Sequence, residues 1–153
     1  MRVLLALIIL LFPIRALATP LQCMAEAMYF EARNQGTYGM LAVGVVITNR
    51  VNHPNYPTTV CEVVRQGRRL NGRMRRYQCQ FSYYCDGKPE RPTDLVAWTI
   101  AQSLARLVLE TNLVLLGLEN ATHYHTTTVN PSWAAHFQPC LKIGEHIFYE
   151  QRG

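Results

Sequence analysis

The sequence predicts an α+β domain, mainly helical, with a small antiparallel sheet formed late in the chain. Three observations lead there. Residues 21 to 51 carry apolar side chains at helical spacing on either side of a break at Asn34-Gln35-Gly36. The stretch from Asp94 to about Glu110 repeats that spacing behind a Thr93 cap, with Ala97, Ala101, Leu104 and Val108 on one stripe. The tail then changes character: residues 121 to 129 are rich in Thr, Tyr and Val, and residues 141 to 149 read as a further strand or hairpin arm.

Taken in order, the first helix covers about residues 21 to 33. The second, Thr37 to Val51, is apolar around most of its circumference, which marks a central buried helix, and Gly39, Ala42 and Gly44 leave room for a close neighbour. The two form an antiparallel hairpin whose turn is expected to bring Glu31 beside the start of the second helix. Residues 52 to 57, with two prolines, form a rigid loop; a short helix follows from Thr58, its N-cap, to about Gln66. Arg65, Arg68, Arg69, Arg73, Arg75 and Arg76 then fall in a Gly-containing stretch without apolar period, which predicts a basic loop.

Glu31 stands out within the first helix. It shares a stripe with Met24, Ala27 and Met28, whereas Glu26, Phe30 and Arg33 fall on another. A carboxylate facing thioethers and methyl groups loses the hydration its charged form needs, so its pKa should rise; that is the profile of a general acid. A rotated or frayed helix would instead leave Glu31 solvated, and periodicity alone leaves both readings open.

The first 18 residues read as a signal peptide: Met1-Arg2, an apolar run from Val3 to Phe12, and the small-residue pattern Ala16-Leu17-Ala18. The run is too short to span a bilayer. An uncleaved tether is the competing reading, supported by Arg15. Cleavage would leave residues 19–153, a single domain of 135 residues, exported to the periplasm or outside the cell, with no stable membrane insertion and monomeric. The formal charge of +5 falls to about +3 without Arg2 and Arg15. The arginine stretch suits a solvated loop or, functionally, an anionic polymer. Nucleic acid fits poorly with export, and no recognised binding motif accompanies the arginines.

Five cysteines in an exported chain suggest bridges with one left over. Cys79 and Cys85 flank a short segment and are the favoured pair. No two cysteines show the C-x2-C spacing of a structural zinc site. His123 and His125 share a face of a regular strand, and with His146 they could form a three-histidine zinc site; hydrogen bonds to a ligand or to backbone would use them without metal. His53 and His136 fall in loops, where solvation is expected.

Seven runs, in order, carry a resemblance: Tyr29-Phe30-Glu31-Ala32-Arg33; Gly39 to Val43 leading to Asn49-Arg50-Val51; Tyr56-Pro57 with Val60 to Val64; Gln80-Phe81-Ser82 with Cys85-Asp86-Gly87; Ala121 to His125; Pro131-Ser132-Trp133; and Ile143 to Tyr149. Over roughly residues 22 to 150 the chain resembles the SleB/CwlJ family of cell-wall hydrolases. Cys140 and the arginine stretch depart from that pattern. The resemblance implies a peptidoglycan-cleaving domain of lysozyme-like architecture with Glu31 as catalytic acid. Its spore-cortex members act as lytic transglycosylases, cutting between N-acetylmuramic acid and N-acetylglucosamine and leaving a 1,6-anhydro end.

That chemistry suits one carboxylic acid. It protonates the glycosidic oxygen, then as carboxylate removes the proton of the muramic acid 6-hydroxyl as that oxygen attacks C1. A two-carboxylate hydrolase would need a partner at about 5 to 5.5 Å or about 6.5 to 9.5 Å, for which Asp86, Glu119 and Glu145 are the candidates. Phe81, Tyr124 and Trp133 could face sugar rings, and Gln80, Ser82 and His123 could hydrogen-bond acetamido and hydroxyl groups, with core packing the competing role of each aromatic. No cofactor is expected. The alternatives are a zinc-dependent amidase or peptidase using His123, His125 and His146, and a catalytically silent wall-binding module.

Overall fold

The computed structural model describes residues 18–151; all but the last residue of the expected signal peptide lies outside them. Helix α1, Pro20–Ala32, starts where Thr19 accepts a hydrogen bond from the Gln22 N–H at 3.2 Å and proline occupies the first helical position. Met24, Ala27 and Met28 are fully buried. Burying a methionine side chain stabilises by about 1.5–3 kcal/mol. On the other stripe, Glu26 and Phe30 are half-buried and Arg33 is exposed.

A 3-10 turn, Arg33–Gln35, joins α1 to helix α2, Gly36–Val51. As expected of a central helix, α2 packs on two sides. Met40, Val43 and Ile47 belong to a core shared with α1, while Ala42, Val45 and Val46 pack against Leu118, Ala121, Ile143 and Phe148 of the late chain. Gly44 permits the close packing of α2 on α1, since a Cβ there would overlap the Met28 methyl and press on Val108.

Helix α3, Val60–Val64, is capped by Thr59 rather than Thr58 and ends before Gln66. Thr59 accepts from the Glu62 N–H and its hydroxyl donates to the Glu62 carboxylate, which sets the cap one residue later than expected. A disulfide between Cys23 and Cys61 ties α3 to α1. The arginine stretch is no loop. It forms an antiparallel hairpin of β1, Gly67–Leu70, and β2, Arg73–Cys79. The two residues of its turn, Asn71 and Gly72, have φ of 50° and 78°, the left-handed pair that an Asn-Gly turn supplies. Both faces of the ribbon are largely exposed, which is why no apolar alternation announced it.

Helix α4, Leu95–Thr111, is capped by Asp94, whose carboxylate accepts from the Ala97 N–H, and not by Thr93. The N–H groups of Thr93 and Asp94 instead donate to the Tyr29 hydroxyl at 3.0 and 2.9 Å, fastening α4 to α1. The expected stripe packs inward, with Ala101 and Val108 fully buried. The tail forms a three-stranded antiparallel sheet of β3, Ala121–Thr126, β4, Phe137–Ile143, and β5, His146–Gln151, in the order β3-β5-β4. Residues 141 to 149 are therefore two strands meeting at a Gly144-Glu145 turn, not one. No described helix is long and apolar enough to cross a membrane.

Candidate active site

The last turn of α1, the last turn of α2, the end of β2 and the strand β3 converge on a cleft of about 710 Å³. Glu31 lies in it as the only carboxylate among the described lining residues. Its side chain keeps some exposure, yet its carboxyl is enclosed: the Tyr124 hydroxyl donates to Oε2 at 3.1 Å and the Ser82 backbone N–H bonds to it. Burial pushes its pKa up to about 7; those two hydrogen bonds and the Arg50 charge hold it down from a higher value. A group so poised can give and take a proton near neutrality.

Arg50 is the residue that sequence reasoning passed over. It stands in the last turn of α2 and is the residue of that helix that lines the cleft among the described residues. Arg50 is only 4% exposed, its Nε donates to the Thr122 carbonyl at 2.7 Å, and its guanidinium lies 5.3 and 5.4 Å from the Tyr56 and Phe81 ring centres. Burial lowers its pKa, and its Nη1 has no protein partner. The signal was available: Val43, Val46, Ile47 and Arg50 recur at the spacing of one buried face.

The disulfide Cys79–Cys85, the favoured pair, closes the segment that carries Gln80 and Ser82 into the cleft. Cys140 is left free. Phe81 is a correction: it is completely buried, so its ring packs the core and presents no face to a sugar. Tyr124 lines the cleft and contributes a hydroxyl to Glu31. Trp133 and His123 form an aromatic wall, with ring centres 5.1 Å apart and Phe137 4.0 Å from His123. Burial, with the Arg50 charge adding to it, lowers the His123 pKa to about 4, so this ring is neutral at ordinary pH.

The three histidines of the zinc alternative all line the cleft, but among the described residues no three His, Cys, Asp or Glu side chains are grouped to hold a metal. His125 bonds through Nδ1 to the Thr126 carbonyl and through Nε2 to the Tyr149 hydroxyl, both at 2.8 Å. His146 is buried against the rings of Tyr124 and Phe148. Nor do the candidate second carboxylates reach the cleft. Asp86 accepts from the Lys88 N–H, Glu119 is exposed, and Glu145 sits in the β4–β5 turn bonded to Gln35. His136 is exposed as expected, whereas His53 is half-buried and accepts from the Asn55 N–H.

A model described as Cell Wall Hydrolase matches residues 34–149, a span that opens just after Glu31. The chain is 30% identical over 132 residues to a spore cortex-lytic enzyme of Halalkalibacterium halodurans, covering 84% of this chain and 34% of that protein. It is 29% identical over 129 residues to a spore cortex-lytic enzyme of Bacillus cereus, covering 84% and 43%. The chain thus spans well under half the length of these curated relatives. Among solved structures it is similar to the catalytic domain of the germination-specific lytic transglycosylase SleB from Bacillus anthracis, with a TM-score of 0.65, 25% identity, and 91% of this chain and 100% of that one covered. The catalytic domain of the Bacillus cereus SleB protein gives a TM-score of 0.60 at 25% identity, with 86% and 89% covered. The architecture is the lysozyme-like one of those domains, and the chain belongs to the cell wall hydrolase family.

Proposed function

We propose that this domain cleaves the glycan strand of peptidoglycan between N-acetylmuramic acid and N-acetylglucosamine as a lytic transglycosylase, with Glu31 as its acid and base. The observation that carries this is a lone carboxyl in the cleft whose pKa burial has raised to about 7. Glu31 protonates the glycosidic oxygen as the bond to C1 breaks. The carboxylate it becomes is met by the Tyr124 hydroxyl and the Ser82 N–H, with the Arg50 charge nearby. It then takes the proton of the muramic acid 6-hydroxyl as that oxygen closes on C1, which returns Glu31 to its starting state. No second carboxylate and no water molecule enters the balance. Gln80, Ser82 and neutral His123 supply hydrogen bonds to acetamido and hydroxyl groups, and Trp133 supplies an apolar ring face.

The similarity to a lytic transglycosylase supports the same reading. The proposal includes export: residues 1 to 18 are removed, and Thr19, the N-cap of α1, becomes the first residue. N-terminal sequencing that begins upstream of Thr19 would favour a retained tether. Mass spectrometry of products from purified wall tests the chemistry, because a 1,6-anhydro end is lighter than a reducing end by one water. Reducing ends alone would replace transglycosylation by hydrolysis. Unchanged release by Glu31→Gln would remove Glu31 from the reaction.

A further inference from the structure

The β1–β2 hairpin is a basic arm on one wall of the cleft. Arg68 and Arg69 on β1 and Arg73, Arg75 and Arg76 on β2 are all exposed, and no Asp or Glu occurs between Glu62 and Asp86. Two of the five have internal uses, since Arg69 donates to the Gly72 carbonyl and Arg76 to that of Asp86. Arg68 follows the base pair Gly67–Cys79 and lines the Glu31 cleft, whereas Arg73 pairs with Leu70 at the far turn. Guanidinium groups therefore run from the cleft outward along the ribbon. Its turn is set by Asn71 and Gly72, so the fold does not require the charges, and like charges on one ribbon repel.

A glycan backbone of N-acetylated sugars is neutral. The anions of peptidoglycan lie in the peptide stems that muramic acid carries through its lactyl group. A strand lying in the cleft presents those stems to the walls rather than to the floor. Arginine, with its planar fork of donors, pairs with carboxylates in a bidentate way that lysine cannot match, and every cation on this arm is arginine. Resting on the glycan-cleaving reading above, the geometry points to the hairpin as a binding arm for stem-peptide carboxylates, with Arg68 taking the stem nearest the cleft and Arg73 and Arg75 those farther out. The arm makes the protein prefer stem-bearing strands to bare ones. A phosphate-bearing lipid surface would suit the charge too, but it would leave the place of Arg68 inside the cleft unexplained.

The test measures binding without turnover, in the Glu31→Gln background, to soluble uncrosslinked glycan strands that carry their stems or have been stripped by an amidase and had the lactyl carboxylates so freed converted to methylamides, which leaves a neutral strand. Stem-bearing strands should bind more tightly, and the advantage should fade at high salt. Adding Arg68→Gln, Arg73→Gln and Arg75→Gln should weaken binding to stem-bearing strands by about tenfold and bring it to the level of stripped strands. Should that variant fail to fold by circular dichroism, Arg73→Gln alone should weaken binding about two- to threefold. Equal binding of the two strands before substitution overturns the proposal, as does an arginine-dependent loss that is the same for both. Arginine-dependent binding to phosphatidylglycerol vesicles with none to stem-bearing strands gives the arm to lipid and also overturns it. Because no cleavage is scored, a failure of Glu31 as the acid would leave these outcomes readable.

Discussion

The two walls of the cleft rest on opposite physical terms. On the α1–α2 side, charge is brought into contact with apolar matter: Glu31 follows Met24 and Met28 on one stripe, and Arg50 follows Val43 and Ile47. Burial raises the pKa of the first and lowers that of the second. On the β1–β2 side, arginines stand on a ribbon that meets water on both faces. Burial tunes a proton; exposure offers a field. The difference teaches that one site can need both kinds of wall, and that each should respond to a different perturbation.

The largest expected effect is on the buried side. Glu31→Gln should keep the fold and reduce muropeptide release by about 10²- to 10⁴-fold. Wild-type activity should fall as pH rises through about 7, because only protonated Glu31 can donate. Stability carries its own sign. A carboxyl whose pKa is higher folded than unfolded favours the fold at low pH and loses that advantage between its ordinary value and about 7. Glu31→Gln should therefore match wild type near pH 4 and exceed it above pH 7, as thermal melts across that window would register. Tyr124→Phe removes a donor to the Glu31 carboxylate, so the alkaline limb of the pH–rate profile should move to higher pH. A limb that stayed in place would detach Tyr124 from the proton.

Next come the disulfides, one on each side. Cys23–Cys61 joins residues 38 apart and Cys79–Cys85 residues six apart. Chain-entropy arithmetic gives about 4 kcal/mol for the first and about 2 kcal/mol for the second. Denaturant titration of the two double Cys→Ala variants should reproduce that order. Thiol counting on the denatured, unreduced protein should find one free thiol, Cys140. The smallest effect belongs to the ribbon: Arg73→Gln with Arg75→Gln should leave stability within about 0.5 kcal/mol. A larger loss would mean that the arginines hold the hairpin together.

The same contrast explains what could be read from the chain. The three long helices were legible because burial writes a 3.6-residue period into the sequence, and the same period offered an inward Glu31 as one of two readings. The ribbon buries too little to write one, and its only local sign was Asn71-Gly72, a turn signal overshadowed by the surrounding charge. Both caps lie one residue later than expected, Thr59 rather than its neighbour Thr58 and Asp94 rather than Thr93, because adjacent residues of cap type cannot be told apart by composition alone. Composition leaves Phe81 either a sugar face or a core residue; its neighbours Gln80 and Ser82 reach the cleft, while its own side chain turns into the core. No local pattern could have paired Tyr124 with Glu31, since the bond joins residues 93 apart.

That bond also sets a timetable for the molecule. A chain that stops before Ala121 carries the helices and the Cys23–Cys61 bridge but lacks Tyr124, His123 and Trp133, so it has neither the β3 wall of the cleft nor the bond from Tyr124 to Glu31. On the function proposed above, the site is complete only when about the last fifth of the sequence has been made, so the catalytic acid is synthesised early and its setting last.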